Sequence, residues 1–205
     1  MHPEILPENT KKLLDKLANT DFIGDFYLSG GTALALQIGH RESDDLDWFT
    51  AKNFDPQRLQ TRLERVGSLT AAQPDSGTLN CFVDEVQLQF LHYPYPLLEP
   101  KIDWQGIALS ALLDIACTKL ITVSSRGSKK DFFDLYFLLD RFELKSLFQK
   151  LPQKYPNTDY NLAHILKSLT YFTEAEIQPD PRMHQPLTWA QVKEKIILTV
   201  KRFSI

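Results

Sequence analysis

The feature that most restricts how this chain can fold is a short break between two apolar runs. Phe26-Tyr27-Leu28 reads as a strand, Ser29-Gly30-Gly31-Thr32 as a tight turn, and Ala33-Leu34-Ala35-Leu36 as the start of a helix. Two adjacent glycines remove the Cβ atoms where strand becomes helix, so a ligand can approach the backbone closely. A helix start also offers unpaired N–H groups and the positive end of its dipole, which suit a phosphate, and Thr32 adds a hydroxyl. Gly-Gly turns are common, and taken alone these residues read more readily as a plain turn than as a ligand cradle.

A second pattern follows. Asp45-Leu46-Asp47-Trp48-Phe49 reads as a strand. Residues two apart on a strand share a face, so Asp45 and Asp47 project together while Leu46 and Trp48 face the core. Adjacent carboxylates repel unless a cation lies between them. Mg²⁺ prefers such oxygen ligands and shares them with substrate phosphates. Glu42 and Asp44 close by leave a solvated acidic strand end as the alternative.

Around these patterns the periodicity alternates, then turns helical. Leu13, Leu14, Leu17 and Ala18 have helical spacing, with Asn9 or Thr10 as cap. Asp55-Pro56 starts a helix with an acid cap and a proline at its first position. Leu79 to Val83 and Val86 to Leu91 read as a hairpin turning at Asp84-Glu85, and Tyr93-Pro94-Tyr95-Pro96 breaks regular structure. From Ser110, read as a cap, a helix carries Leu112, Leu113, Ile115, Ala116 and Leu120. Ser124 to Ser128 reads as a short basic loop. Further helices follow over Asp131 to Asp140, from Asp159, and from Thr188, which forms a capping box with Gln191. The pattern implies an α+β fold: a small mixed sheet with flanking helices over 1–100, then a helical part over 101–205 that completes a cleft.

The order strand, Gly-Gly-Thr, helix, Asp-x-Asp strand, with twelve residues between Thr32 and Asp45, resembles the DNA polymerase β-like nucleotidyltransferase superfamily. Within it, two blocks look like the AbiEii/AbiGii abortive-infection toxin nucleotidyltransferases. The first runs from Gly30-Gly31-Thr32 through Gly39-His40-Arg41 and Ser43 to Asp45–Phe49. The second is Asp114-Ile115-Ala116, Lys119, Arg126-Gly127 and Lys129-Lys130-Asp131-Phe132-Phe133-Asp134-Leu135-Tyr136. Together they span about half of the chain.

The resemblance implies a Mg²⁺-dependent transfer of NMP from an NTP to an acceptor. Gly30, Gly31 and Thr32 would hold the phosphates, and Asp45 and Asp47 the metal. Lys119, with Lys130, would neutralise the triphosphate as pyrophosphate leaves. Arg41 and Arg126 would be further phosphate contacts, and Asp131 a further catalytic acid. It also implies a toxin of a toxin–antitoxin or phage-defence system, with RNA, tRNA in particular, as acceptor and an antitoxin protein as partner. From spacing alone, Asp131 and Asp134 share a helix face and can orient Lys or Arg side chains.

One departure stands out. The superfamily usually supplies a third carboxylate from a later strand, yet Val86-Gln87-Leu88-Gln89-Phe90 carries amides on its polar face. An amide brings no negative charge and is a poor base. Asp84 and Glu85 would substitute if the hairpin were shifted. A catalytically impaired nucleotide- or partner-binding protein on the same fold is therefore the second reading. The net charge of -3 excludes a whole-molecule field for nucleic acid. Cys81 and Cys117 read as buried free thiols, and no apolar run reaches the ~18 residues of a membrane span. A cytoplasmic protein is expected.

Overall fold

The computed structural model describes residues 1–203. The chain forms α1 (Glu8–Ala18), β1 (Tyr27–Ser29), α2 (Gly30–Ile38), β2 (Leu46–Thr50) and α3 (Pro56–Leu63). Five strands follow: β3 (Leu69–Asp75), β4 (Thr78–Val83), β5 (Val86–His92), β6 (Ile102–Trp104) and β7 (Ile107–Leu109). The remainder is helical: α4 (Leu112–Arg126), α5 (Lys129–Leu138), α6 (Leu144–Lys154), α7 (Leu162–Leu169), the single turn α8 (Thr173–Glu176) and α9 (Trp189–Lys201).

The seven strands make one mixed sheet in the order β3-β4-β5-β2-β1-β7-β6. The central strand β2 runs antiparallel to β1 and parallel to β5. Its alternation sends Leu46 and Trp48, both fully buried, into the core. Trp48 stacks on Phe90 and Phe26 meets Phe90 edge-on. Each such side chain contributes roughly 1.5–3 kcal/mol by leaving water. The α+β expectation holds. The sheet extends past residue 100, because β7 pairs parallel to β1, so the two expected halves share it.

Several local expectations hold for the stated reasons. Asp55 accepts the Gln57 and Arg58 N–H groups with Pro56 at the first helical position. Thr188 and Gln191 form the capping box of α9. Asp84-Glu85 is a two-residue turn closed by the Val83–Val86 pair, both residues at positive φ (48° and 66°). Cys81 and Cys117 are buried and free, and burial pushes their thiols up to about 11 and about 12.

Others need correction. α1 starts at Glu8 behind Pro7, so Asn9 and Thr10 lie inside its first turn. Ser110 does not cap α4. Its N–H bonds to Leu28 C=O and its hydroxyl donates to Ser29 Oγ at 2.8 Å, which continues the strand pairing, and Ala111 is the cap. Ser124 and Ser125 are not in a loop. Their hydroxyls donate to Ile121 C=O within α4, which runs to Arg126 and ends on Gly127 in the left-handed region. The helix expected from Asp159 starts later, capped by Asn161. β3, β6 and β7 were not expected. Among the described residues no helix is long and apolar enough to cross a membrane.

The far end of the chain returns to the first block. Glu42 N–H bonds to Arg182 C=O and His184 N–H to His40 C=O, both at 2.9 Å, around an Arg41–Met183 bridge.

Candidate active site

The turn from β1 into α2 sets Ser29 opposite Asp47 in the antiparallel register. Gly30 has φ +65°, and a Cβ there would lie 2.1 Å from Asp47 Oδ2. A Cβ on Gly31 would lie 2.3 Å from Arg41 Nη2. Each glycine thus makes room for a charged side chain: Gly30 for the Asp47 carboxylate, Gly31 for the Arg41 guanidinium. Ser29 Oγ accepts from Ser110, and among the described residues no side chain caps α2, so the N–H groups of its first turn stay open to an anion. Gly30→Ala is therefore expected to strain the backbone by about 1–2 kcal/mol and to push Asp47 out of place. The check is a lowered melting temperature together with loss of activity.

Thr32 is buried, and its hydroxyl is fully used. It donates to Asp45 C=O and pairs with Ser43 Oγ at 2.7 Å. The hydroxyl fixes the backbone that presents Asp45 and has no proton left for a phosphate, while the Thr32 N–H stays in the open first turn of α2. Arg41 is also buried. Nε and Nη2 donate to Asp134 at 2.7 and 3.0 Å and Nη1 donates to Glu42 C=O, so three of its N–H donors are committed inside the protein.

Asp134 and Asp131, one turn apart on α5, anchor a buried charge cluster. Asp134 accepts from Arg41, from His40 Nε2 at 2.8 Å and from the Lys119 ammonium. Asp131 accepts from Lys119 at 2.6 Å and from Arg126 Nε at 2.9 Å. Burial alone would raise both acids. Arg41, Lys119 and His40 hold Asp134 well below its ordinary value, and Lys119 and Arg126 hold Asp131 below its own. Burial likewise keeps His40 neutral despite its bond to Asp134. Lys119 uses two of its three N–H donors on the acids, and Arg126, half exposed, keeps donors for a ligand.

Asp45 and Asp47 sit at the mouth of this cluster. Asp45 is held by Lys130 Nζ at 2.9 Å. Asp47 has no hydrogen-bond or ion-pair partner among the described residues, and burial, with Asp45 as a like charge, raises its carboxyl above the ordinary range. Beside it in the parallel register stands Gln89, so the neighbouring strand presents an amide where a third acid was sought. Asp84 does not substitute. It lies in the hairpin turn, bonded to Lys16 and to Ser68 N–H, and Glu85 shares that turn. Among the described residues no three acids, histidines or cysteines gather for a metal.

The cleft over these groups, about 280 Å³, has a far wall that the sequence did not reveal: Tyr93, Tyr155, Thr118 and Thr122. Tyr93 belongs to the segment read only as a break, and Tyr155 follows α6. Both are held by a buried ion pair, since Lys154 donates to Asp114 at 2.7 Å and to Pro96 C=O, and Asp114 accepts the Leu98 and Glu99 N–H groups. Thr118, Lys119, Thr122 and Arg126 fall at helical spacing on one face of α4. That spacing was the one available signal for the wall.

Residues 12–202 match the family model described as nucleotidyl transferase AbiEii toxin, type IV TA system. A protein of Aquifex aeolicus (strain VF5), aq_aa25, uncharacterized, is 36% identical over 206 residues, covering 97% of each chain. Two solved structures share the fold at low identity. MenT4, nucleotidyltransferase toxin Rv2826c from Mycobacterium tuberculosis H37Rv, has a TM-score of 0.59 at 16% identity, covering 97% of this chain and 87% of that one. JHP933 from Helicobacter pylori has a TM-score of 0.54 at 17% identity, covering 95% and 88%.

Proposed function

The chain belongs to the AbiEii nucleotidyltransferase toxin family, and on that premise we propose that it transfers NMP from an NTP to an acceptor, with release of pyrophosphate. The observation that carries the reading is Asp47: a half-buried carboxylate with no partner among the described residues, beside Asp45, at the uncapped start of α2. A pair of hard oxygen ligands, of which only Asp45 has a cationic partner in Lys130, fits a divalent cation, for which Mg²⁺ is the natural choice. Asp45 and Asp47 would hold it, and when bound it would supply positioning and charge neutralisation for the phosphates. Lys130 then has to release Asp45 and is freed toward the substrate.

The remaining roles fall to this chain's own groups. The open N–H groups of α2 receive phosphate oxygens, while Arg126 and the third N–H of Lys119 face the charge that develops on the leaving pyrophosphate. Asp131, held low between Lys119 and Arg126, is a poor proton acceptor, so its part is to position those two cations. The family description as a type IV toxin supports an antitoxin protein as partner, and on our reading the acceptor is RNA, with tRNA the first to try, in a toxin–antitoxin or phage-defence setting.

A second reading, nucleotide binding without transfer, is favoured by Gln89, which places a neutral amide beside Asp47. One experiment separates the two. The protein is incubated with each labelled NTP, Mg²⁺ and total RNA, alongside an Asp45→Ala/Asp47→Ala variant. Label transferred by the wild type and lost in the variant supports transfer. Nucleotide-dependent thermal stabilisation without label transfer selects binding.

A further inference from the structure

We infer that the far wall of the cleft selects nucleobases bearing an exocyclic amine, so that CTP is preferred to UTP and ATP to ITP; this deepens, and rests on, the nucleotide-binding reading above. The wall is lined by hydroxyls, which can in general either donate or accept. Here their protons are already committed, one after another, and the order can be read from their partners.

A carbonyl oxygen only accepts. Thr118 Oγ1 lies 2.9 Å from Asp114 C=O, Thr122 Oγ1 2.9 Å from Thr118 C=O, and Ser125 Oγ 3.0 Å from Ile121 C=O, so all three hydroxyls donate into the backbone of α4. Tyr155 Oη, 3.4 Å from Thr118 Oγ1, must then be the donor of that pair, because the Thr118 proton is spent. Tyr93 Oη, 2.8 Å from Tyr155 Oη, donates to Tyr155 in the one arrangement that satisfies both tyrosine contacts. All five protons run inward toward the helix backbone, and burial further keeps both tyrosines in the protonated form that donates. What faces the cleft is a set of lone pairs.

The cleft's cationic donors, Lys119 and Arg126, belong to the phosphate cluster, and Gln89 stands beside Asp47 at the same end. A base seated against the hydroxyl wall meets acceptors. The amine of cytosine or adenine satisfies them, whereas the carbonyl that replaces it in uracil or hypoxanthine sets lone pair against lone pair and leaves polar groups dry and unpaired. The members of each pair differ in that group and its linked ring proton, while size and stacking on the Tyr93 and Tyr155 rings are the same within each pair.

The test measures dissociation constants for CTP, UTP, ATP and ITP with Mg²⁺ on the full chain, a readout that does not depend on any acceptor or on turnover. Expected is a roughly 10- to 100-fold preference for CTP over UTP and for ATP over ITP, the size set by one unpaired buried polar group. Thr122→Val removes an acceptor at constant shape and should shrink both ratios to a few-fold, while Thr122→Ser should retain them. Equal affinities within each pair, or preference for UTP or ITP, overturn the inference and leave the transfer reading standing. Absence of binding by every nucleotide overturns both. Ratios unmoved by Thr122→Val would also overturn the role given to this wall.

Discussion

Asp134→Ala is expected to destabilise the protein by about 3–5 kcal/mol, because it leaves the buried Arg41 and Lys119 without their shared counter-charge. Against a total of about 5–15 kcal/mol for an ordinary domain, that is a large fraction. For a chain of this size it lowers the melting temperature by roughly 6–20 °C. Thermal unfolding followed by circular dichroism checks it, and a variant melting within 2 °C of wild type, a margin of roughly 1 kcal/mol, would show that the cluster is not what holds α5 to the sheet. The pH dependence has a sign. Asp131 and Asp134 are depressed in the folded state, so their contribution is present above the unfolded value of about 3.9 and is lost as pH falls below it. His40 is depressed as well, and the unfolded chain gains a proton there first, below about pH 6.5. Stability of the wild type should therefore decline in two stages on acidification. In Asp134→Ala the lower stage should be smaller.

Asp47→Asn should move stability and activity in opposite directions. The folded state raises the Asp47 carboxyl, through burial and the like charge of Asp45. The sign is the reverse of that for Asp134: the charged form is disfavoured on folding, so Asp47 costs stability as pH rises above the unfolded value of about 3.9. An amide of the same shape removes that cost without opening a cavity. The melting temperature in the absence of metal should rise at neutral pH by a few degrees, at roughly 2–4 °C per kcal/mol, and the gain should vanish below about pH 4. Nucleotidyl transfer should fall at least about 100-fold, the scale on which removing one group that stabilises developing charge acts. A variant that loses activity and stability together would mean that Asp47 is a structural residue.

The parts of the site legible in the sequence were those carried by short-range spacing. Gly30-Gly31-Thr32 and Asp45-x-Asp47 could be read because a turn and an alternating strand leave local marks. What the marks did not reveal was which atom each residue serves. Gly31 and Thr32 have the composition of a phosphate cradle, yet one clears space for Arg41 and the other binds Asp45 C=O. Those partners lie ten and thirteen residues away and are set by packing. The wall of Tyr93, Tyr155, Thr118 and Thr122 was invisible for a related reason, since three separate segments supply it and the hydroxyls of α4 look from sequence like an ordinary helix surface. The strands that escaped notice are short or irregular. β6 and β7 have three residues each, too few to display alternation. β3 is an exposed edge strand with Pro74 in it and Ala71 at φ +49° in a bulge, features that weaken a strand pattern. Gln89 was correctly identified as an amide from its letter, but its place beside Asp47 needed the strand register.

The return of residues 182–184 to His40 and Glu42 bears on how such a chain is made. Synthesis proceeds from the N-terminus and early segments fold first. The glycine turn and both acids are therefore polymerised long before residues 182–184. Yet Arg41, through which α5 braces that region, is strapped in place by residues near position 183. A nascent chain thus carries Asp45 and Asp47 long before residues 182–184 emerge to brace Arg41, and until then the ground between β1 and β2 lacks its strap.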